Sequence, residues 1–236
     1  GKEAFDAYNR AIALNTDNAE LYLHRHRFRP LNDIDGRAAD IDKAASTAPN
    51  NPLVLQAQAD LLAIQGDPAG AIKIYSTALT KHPDMVALRH GRGLVYAKAG
   101  DMTRAGGDFA SARRAANVLE LTMMCWGKAE MGIALDDALL DCEAALALAP
   151  DPRRLDGKGL TLLRLGRLEE AIAVYDRALA HQPQRASALF GRSLARAARG
   201  ETSQADADRA AALQATPLIE QIFAGDGITR ASVTMR

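Results

Sequence analysis

Three short stretches carry residue types with catalytic precedent. Gly191-Arg192-Ser193-Leu194-Ala195 sets a serine among small residues, as a nucleophile elbow does. It lacks the second glycine of that motif and lies within helix-forming neighbours, where an elbow needs a strand-to-helix turn. Gly157-Lys158-Gly159 has the glycines and lysine that end a phosphate-binding loop. The first glycine at the right distance and a following serine or threonine are both missing. Asp226-Gly227 does not complete the Asp-Thr-Gly motif of aspartic peptidases. No catalytic residue is assigned, and a non-enzymatic chain is expected.

Metal and redox chemistry are equally poorly supported. His24 and His26 are two apart on an expected helix, so their side chains point about 200° apart and cannot grip one ion. His82, His90 and His181 are scattered. Cys125 and Cys142 cannot make a disulfide framework and lack the companions of a zinc site. Both are expected to be small apolar filler, with a mutual disulfide the less favoured option. No cofactor and no metal are expected. Lysine and arginine number 29, aspartate and glutamate also 29, which argues against a nucleic-acid partner held by a basic surface. No apolar run approaches the roughly 18 residues of a membrane span. The 48% apolar content argues against global disorder.

The elements that would position any site follow from a repeat. Ala11, Ala44, Ala78, Ala112, Ala145, Ala178 and Ala212 recur at spacings of 33 or 34 residues. Five residues after each stands Thr16, Pro49, Pro83, Asn117, Pro150, Pro183 or Pro217. Three before each is a mostly bulky residue: Tyr8, Ile41, Tyr75, Phe109, Cys142, Tyr175, then Arg209. Seven before stand Ala4, Arg37, Ala71, Ala105, Ala138, Ala171 and Ala205.

Each unit reads as two helices. In Pro52 to Met85 the first half is a run of helix formers, which Gly66 ends in a left-handed conformation. Asp67 caps the next helix, Pro68 fits its first turn, and Pro83 stops it. Gly100-Asp101, Gly166-Arg167 and Gly200-Glu201 repeat that punctuation, and Asn32-Asp33 is a weaker version.

The segment Gly159 to Pro183, GLTLLRLGRLEEAIAVYDRALAHQP, resembles a tetratricopeptide repeat. In that family a small residue sits midway along the first helix; here these are Ala59, Gly93, Cys125, Gly159 and Ser193. Arg25 departs from the pattern. The resemblance covers about nine-tenths of the chain. It implies an all-α, right-handed α-α superhelix, a solenoid of six repeats plus an N-terminal half repeat. The domain reading is one solenoid over 1–224. Its half repeat is 2–17 and its repeats 18–51, 52–85, 86–117, 118–151, 152–185 and 186–219. A closing helix follows at 218–224, with Ile219, Ile222 and Phe223 on its apolar side, and 225–236 is expected to be a loosely held tail. The fourth repeat has one extra residue between its helices.

In that family the first helices line an inner groove that binds peptides. On this chain the groove would carry Tyr22, His26, Arg29, Gln56, Asp60, His90, Lys98, Trp126, Glu130, Arg153, Asp156, Arg164 and Phe190. It lacks the dense basic clamp that grips a C-terminal carboxylate. Trp126, the one tryptophan, would anchor a partner from the groove or else lie between helices. The expected function is a scaffold binding a protein partner as an extended segment or helix. The alternative is the accessory region of a larger bacterial enzyme whose catalytic domain lies upstream of residue 1, since the chain starts with a second helix. Self-association stays open. The Ala-, Arg- and Asp-rich wording resembles repeat proteins of GC-rich bacteria, and the compartment, cytoplasm or periplasm, is undetermined.

Overall fold

The computed structural model describes residues 2–30 and 32–234. Among the described residues there are fifteen helices and no strand. They are α1 (Lys2–Leu14), α2 (Ala19–Phe28), α3 (Ile34–Thr47), α4 (Pro52–Ile64), α5 (Pro68–Lys81), α6 (Val86–Lys98), α7 (Met102–Ala115) and α8 (Val118–Met131). Then follow α9 (Leu135–Leu148), α10 (Pro152–Arg164), α11 (Leu168–His181), α12 (Ala186–Ala198), α13 (Thr202–Ala215), α14 (Ile219–Gly225) and α15 (Arg230–Thr234). From α2 to α13 they form consecutive packed pairs, the architecture of an all-α helical-repeat solenoid. The chain gathers into two compact units, Gly1–Ala112 and Arg113–Arg236.

Local chemistry sets the hairpins. Gly66 ends the α4 hairpin arm at φ 85°, which a side chain would strain. Asp67 then accepts from the Gly70 amide at 2.9 Å, and Pro68 opens α5. The α8–α9 connection is the irregular one. Gly132 and Ala134 both adopt positive φ there, accommodating the extra residue.

The repeated columns form the core of each unit. In the first, Ile41, Tyr75 and Phe109 pack among Ala44, Ala71, Ala78, Ala105 and Ala112, all buried. In the second, Tyr175 packs with Ala171, Ala178, Ala188 and Ala195. Alanine at these crossings keeps the backbones close, so each large ring of one helix fills the space left by small residues of its neighbours. A Cβ on Gly93 would lie 2.6 Å from the Phe109 ring, and one on Gly159 2.6 Å from Tyr175.

The same packing corrects the expectation of two separate thiols. Cys125 on α8 and Cys142 on α9 form a disulfide, with Cα atoms 5.1 Å apart. They occupy the small and the bulky columns of one repeat, which face each other as Gly159 faces Tyr175. Their separation of 17 residues along the chain conceals that contact.

The stretch from Gly225 onward was expected to be loose, yet α15 lies within it and Ile228 and Val233 are buried. It carries no apolar stripe because it is held by two separated residues. Met235 and Arg236 of that stretch lie outside the described residues.

Candidate functional site

The expected groove residues of the first unit divide in two. Tyr22 is buried, and its hydroxyl donates to the Thr16 carbonyl at 3.0 Å. Arg29 is tied to Asp33 at 2.8 Å and to buried Asp40 at 2.7 Å. Arg25 binds the same Asp40, so the large residue in the small column fills its place with an ion cluster. Gln56 and Asp60 stand together on α4, and Tyr75 donates its hydroxyl to Asp60. Desolvation raises the Asp60 carboxyl, against the Tyr75 and Gln56 hydrogen bonds, although part of the residue meets water. His90 lies against Phe109 and Lys98 is exposed.

His26 is buried as well. Burial holds its imidazole below the usual 6.5. The Arg27 and Arg37 cations add to this, outweighing the Leu23 backbone hydrogen bond and the Asp40 carboxylate. A histidine with a depressed folded pKa binds more protons when unfolded. Stability should therefore hold above about pH 6.5 and fall below it, each pKa unit being worth about 1.4 kcal/mol. His26→Gln should flatten that limb. Urea midpoints between about pH 7 and 5 test this, and parallel curves for variant and parent would refute it.

The second unit holds a cavity. Its volume is about 830 Å³, and Trp126, Leu160, Ile219, Ile222, Phe223 and Ile228 supply its apolar lining. Trp126 on α8 is half-buried and packs on Gly157 of α10, where a Cβ would meet the indole nitrogen at 2.8 Å. That contact accounts for the glycine which resembled a phosphate loop. Glu130 stands one turn further along α8 on the rim. Burial and then the Asp226 carboxylate push it above the usual carboxylate range.

Asp156 on α10 is buried, paired with Arg185 at 2.8 Å and hydrogen-bonded by Ser187. Burial raises its carboxyl despite both partners. Arg164 reaches across α8 and the C-terminal segment, donating to the Glu130 carbonyl at 2.5 Å and to that of Asp226. Phe190 on α12 is buried edge-to-face against Phe223, ring centroids 4.9 Å apart. Arg153 is exposed on the first turn of α10. The structure thus brings Trp126, Glu130 and Arg164 together, packs Phe190 under the closing helix, and leaves Arg153 outside the cavity lining.

A family profile described as "Tetratricopeptide repeat" matches residues 57–118 and 157–218, together more than half of the chain. The chain belongs to the tetratricopeptide repeat family. Solved structures agree on the fold. The chain is similar to one in the APC/C hetero-tetramer Cut9-Hcn1, at 16% identity and a TM-score of 0.57, covering all of this chain and 46% of that one. It therefore spans about half the length of that relative. It is also similar to a tetratricopeptide repeat protein of Parabacteroides merdae, at 18% identity and TM-score 0.56, covering 98% of this chain and 91% of that one. A thermophilic tetratricopeptide repeat protein of Thermus thermophilus matches at 19% identity and TM-score 0.53, over 80% and 98%. No curated protein matches the sequence.

Sequence reasoning missed the contribution of the closing segment to this tetratricopeptide repeat face. Ile219, Ile222 and Phe223 were visible as an apolar side of a helix, but Ile228 gave no periodic signal. Arg185 and Ser187 sit at a repeat junction and became recognisable only through Asp156. Among the described residues no group of three or more potential ligands could hold a metal ion, and no helix is long and apolar enough to cross a membrane.

Proposed function

We propose that the chain is a non-enzymatic scaffold for protein–protein interaction, holding a partner peptide or helix on the face formed by the first helices of its repeats. The observation that carries this reading is the cavity beside Trp126. It is large and apolar-lined, with charge at its rim, as peptide-binding surfaces are. Gln56, Asp60, His90 and Lys98 would make the corresponding contacts on the first unit, with Glu130 and Arg164 on the second. Tyr22, His26, Arg29, Asp156 and Phe190 would support that face from beneath, and Arg153 would meet a partner at its edge. The repeat period runs unbroken through residue 112, which supports one array over 1–224. The disulfide favours an oxidising compartment, such as a bacterial periplasm.

The test begins with a partner identified by affinity capture and mass spectrometry, followed by calorimetry on the purified pair. Trp126→Ala should weaken that binding roughly tenfold or more, about 1.4 kcal/mol, because truncating a central aromatic removes an anchor. Its unfolding midpoint should change far less than its affinity. Equal affinity for parent and variant would remove the groove reading.

A further inference from the structure

One segment is already seated on this face. Gly227, at φ 69°, reverses the chain after α14, and the Ile228 amide donates to the Phe223 carbonyl at 2.9 Å. The chain then runs back over the first helices of the second unit. Arg164 of α10 donates to the Asp226 carbonyl while also holding the Glu130 carbonyl of α8. Ile228 is 2% exposed and Val233 9%. Ile228 lines one hollow with Phe190 and Leu194, and both residues line a second with Leu163 and Arg164. The intervening Thr229, Arg230, Ala231 and Ser232 are exposed, Thr229 and Arg230 at the edge of the first hollow and Ser232 at that of the second. Ile228 and Asp226 also form part of the wall of the Trp126 cavity. The contacts therefore have the form of a bound peptide: two aliphatic side chains five residues apart, and a backbone carbonyl held by an arginine.

We infer that Asp226–Val233 is an intramolecular ligand of the second unit. A partner docking there displaces it and presents the same chemistry: two aliphatic residues about five apart and an acceptor carbonyl for Arg164. The displacement clause rests on the scaffold reading; the seating does not. In the intact chain, the Ile228 and Val233 amides should be protected from hydrogen exchange, since Ile228 donates to the Phe223 carbonyl of α14 and Val233 to the Thr229 carbonyl. Exchange at the rate of an unstructured peptide would overturn the seating without any variant being made. Ile228→Asp should release the segment, speed exchange at Val233 roughly tenfold or more, and raise acrylamide quenching of Trp126. Helical circular dichroism should be retained. Unchanged quenching with a released segment would show that it does not cover the site.

The double variant Ile228→Asp/Val233→Asp then serves as receptor for a synthetic peptide, DGITRASVT. At about millimolar peptide, the effective concentration a short tether supplies, Trp126 should return to its protected state. No recovery would overturn recognition by this chemistry. Should Trp126→Ala leave an external partner's affinity intact while these results hold, the scaffold reading fails and the intramolecular contact stands.

Discussion

Asp141→Ala is expected to destabilise the chain by about 3–5 kcal/mol, the loss seen when one member of a buried ion pair is removed. Asp141 and Lys128 are both fully buried, Asp141 on α9 and Lys128 on α8 of the same repeat. Arg113 adds a second cation, at 2.6 Å from the same carboxylate. Burial draws the Lys128 ammonium below its usual pKa even with Asp141 beside it, which shows how little solvation remains to it. Arg113 would keep Asp137 at 2.9 Å. Replacing both partners, as Lys128→Met/Asp141→Leu, should return the stability to near that of the parent, because neither charge then needs solvation. Urea unfolding of the single and double variants checks this. A loss under about 1 kcal/mol for Asp141→Ala would mean that water reaches Lys128.

That ion pair belongs to a column the sequence displayed and periodicity did not explain. Asp40, Asp108, Asp141 and Asp208 each stand immediately before the bulky column, and all are buried. Each takes a cation from the first helix of its own repeat: Arg25 and Arg29, then Arg92, Lys128, and finally Arg192 with Arg196. Ile74 and Val174 fill the position in the two remaining repeats. Alanine and proline columns were legible because each residue type has one physical role there, close approach or helix termination. A buried aspartate needs its cation identified before it reads as core, and that cation lies 11–16 residues away, on or at the end of another helix. The same limit hid the disulfide. Cys125 and Cys142 each fitted a column, and only the facing of the two columns makes them partners. The site was legible to the same degree. The first-helix face could be drawn from the repeat, but burial of Tyr22, His26 and Phe190 depends on neighbours outside their own helices. Ile228 could not be placed at all, since the hollows it lines are walled by residues of α8, α10 and α12, far back in the chain.

Gly191→Ala should destabilise the chain by about 2 kcal/mol, against the gain of about 1 kcal/mol that alanine ordinarily brings to a helix. A Cβ on Gly191 would stand 2.3 Å from the Tyr175 hydroxyl and 2.4 Å from its Cζ. The ring cannot retreat, because Gly159 of α10 backs its other edge so closely that a Cβ there would stand 2.6 Å from it, and Tyr175 is fully buried. Overpacking therefore wins over propensity. The control is Gly106→Ala in α7, where nothing lies within 4 Å of the added carbon; it should stabilise by about 0.5–1 kcal/mol. The hydroxyl at the centre of the clash has no hydrogen-bond partner among the described residues. Its counterpart Tyr75 donates to Asp60, and the position equivalent to Asp60 three repeats on is Leu160. Tyr175→Phe should thus cost nothing and recover part of the Gly191→Ala loss. The cycle of the two single variants and the double measures that coupling. An unchanged Gly191→Ala penalty in the Tyr175→Phe background would place the whole clash on the ring carbon and leave the buried hydroxyl without a share in it.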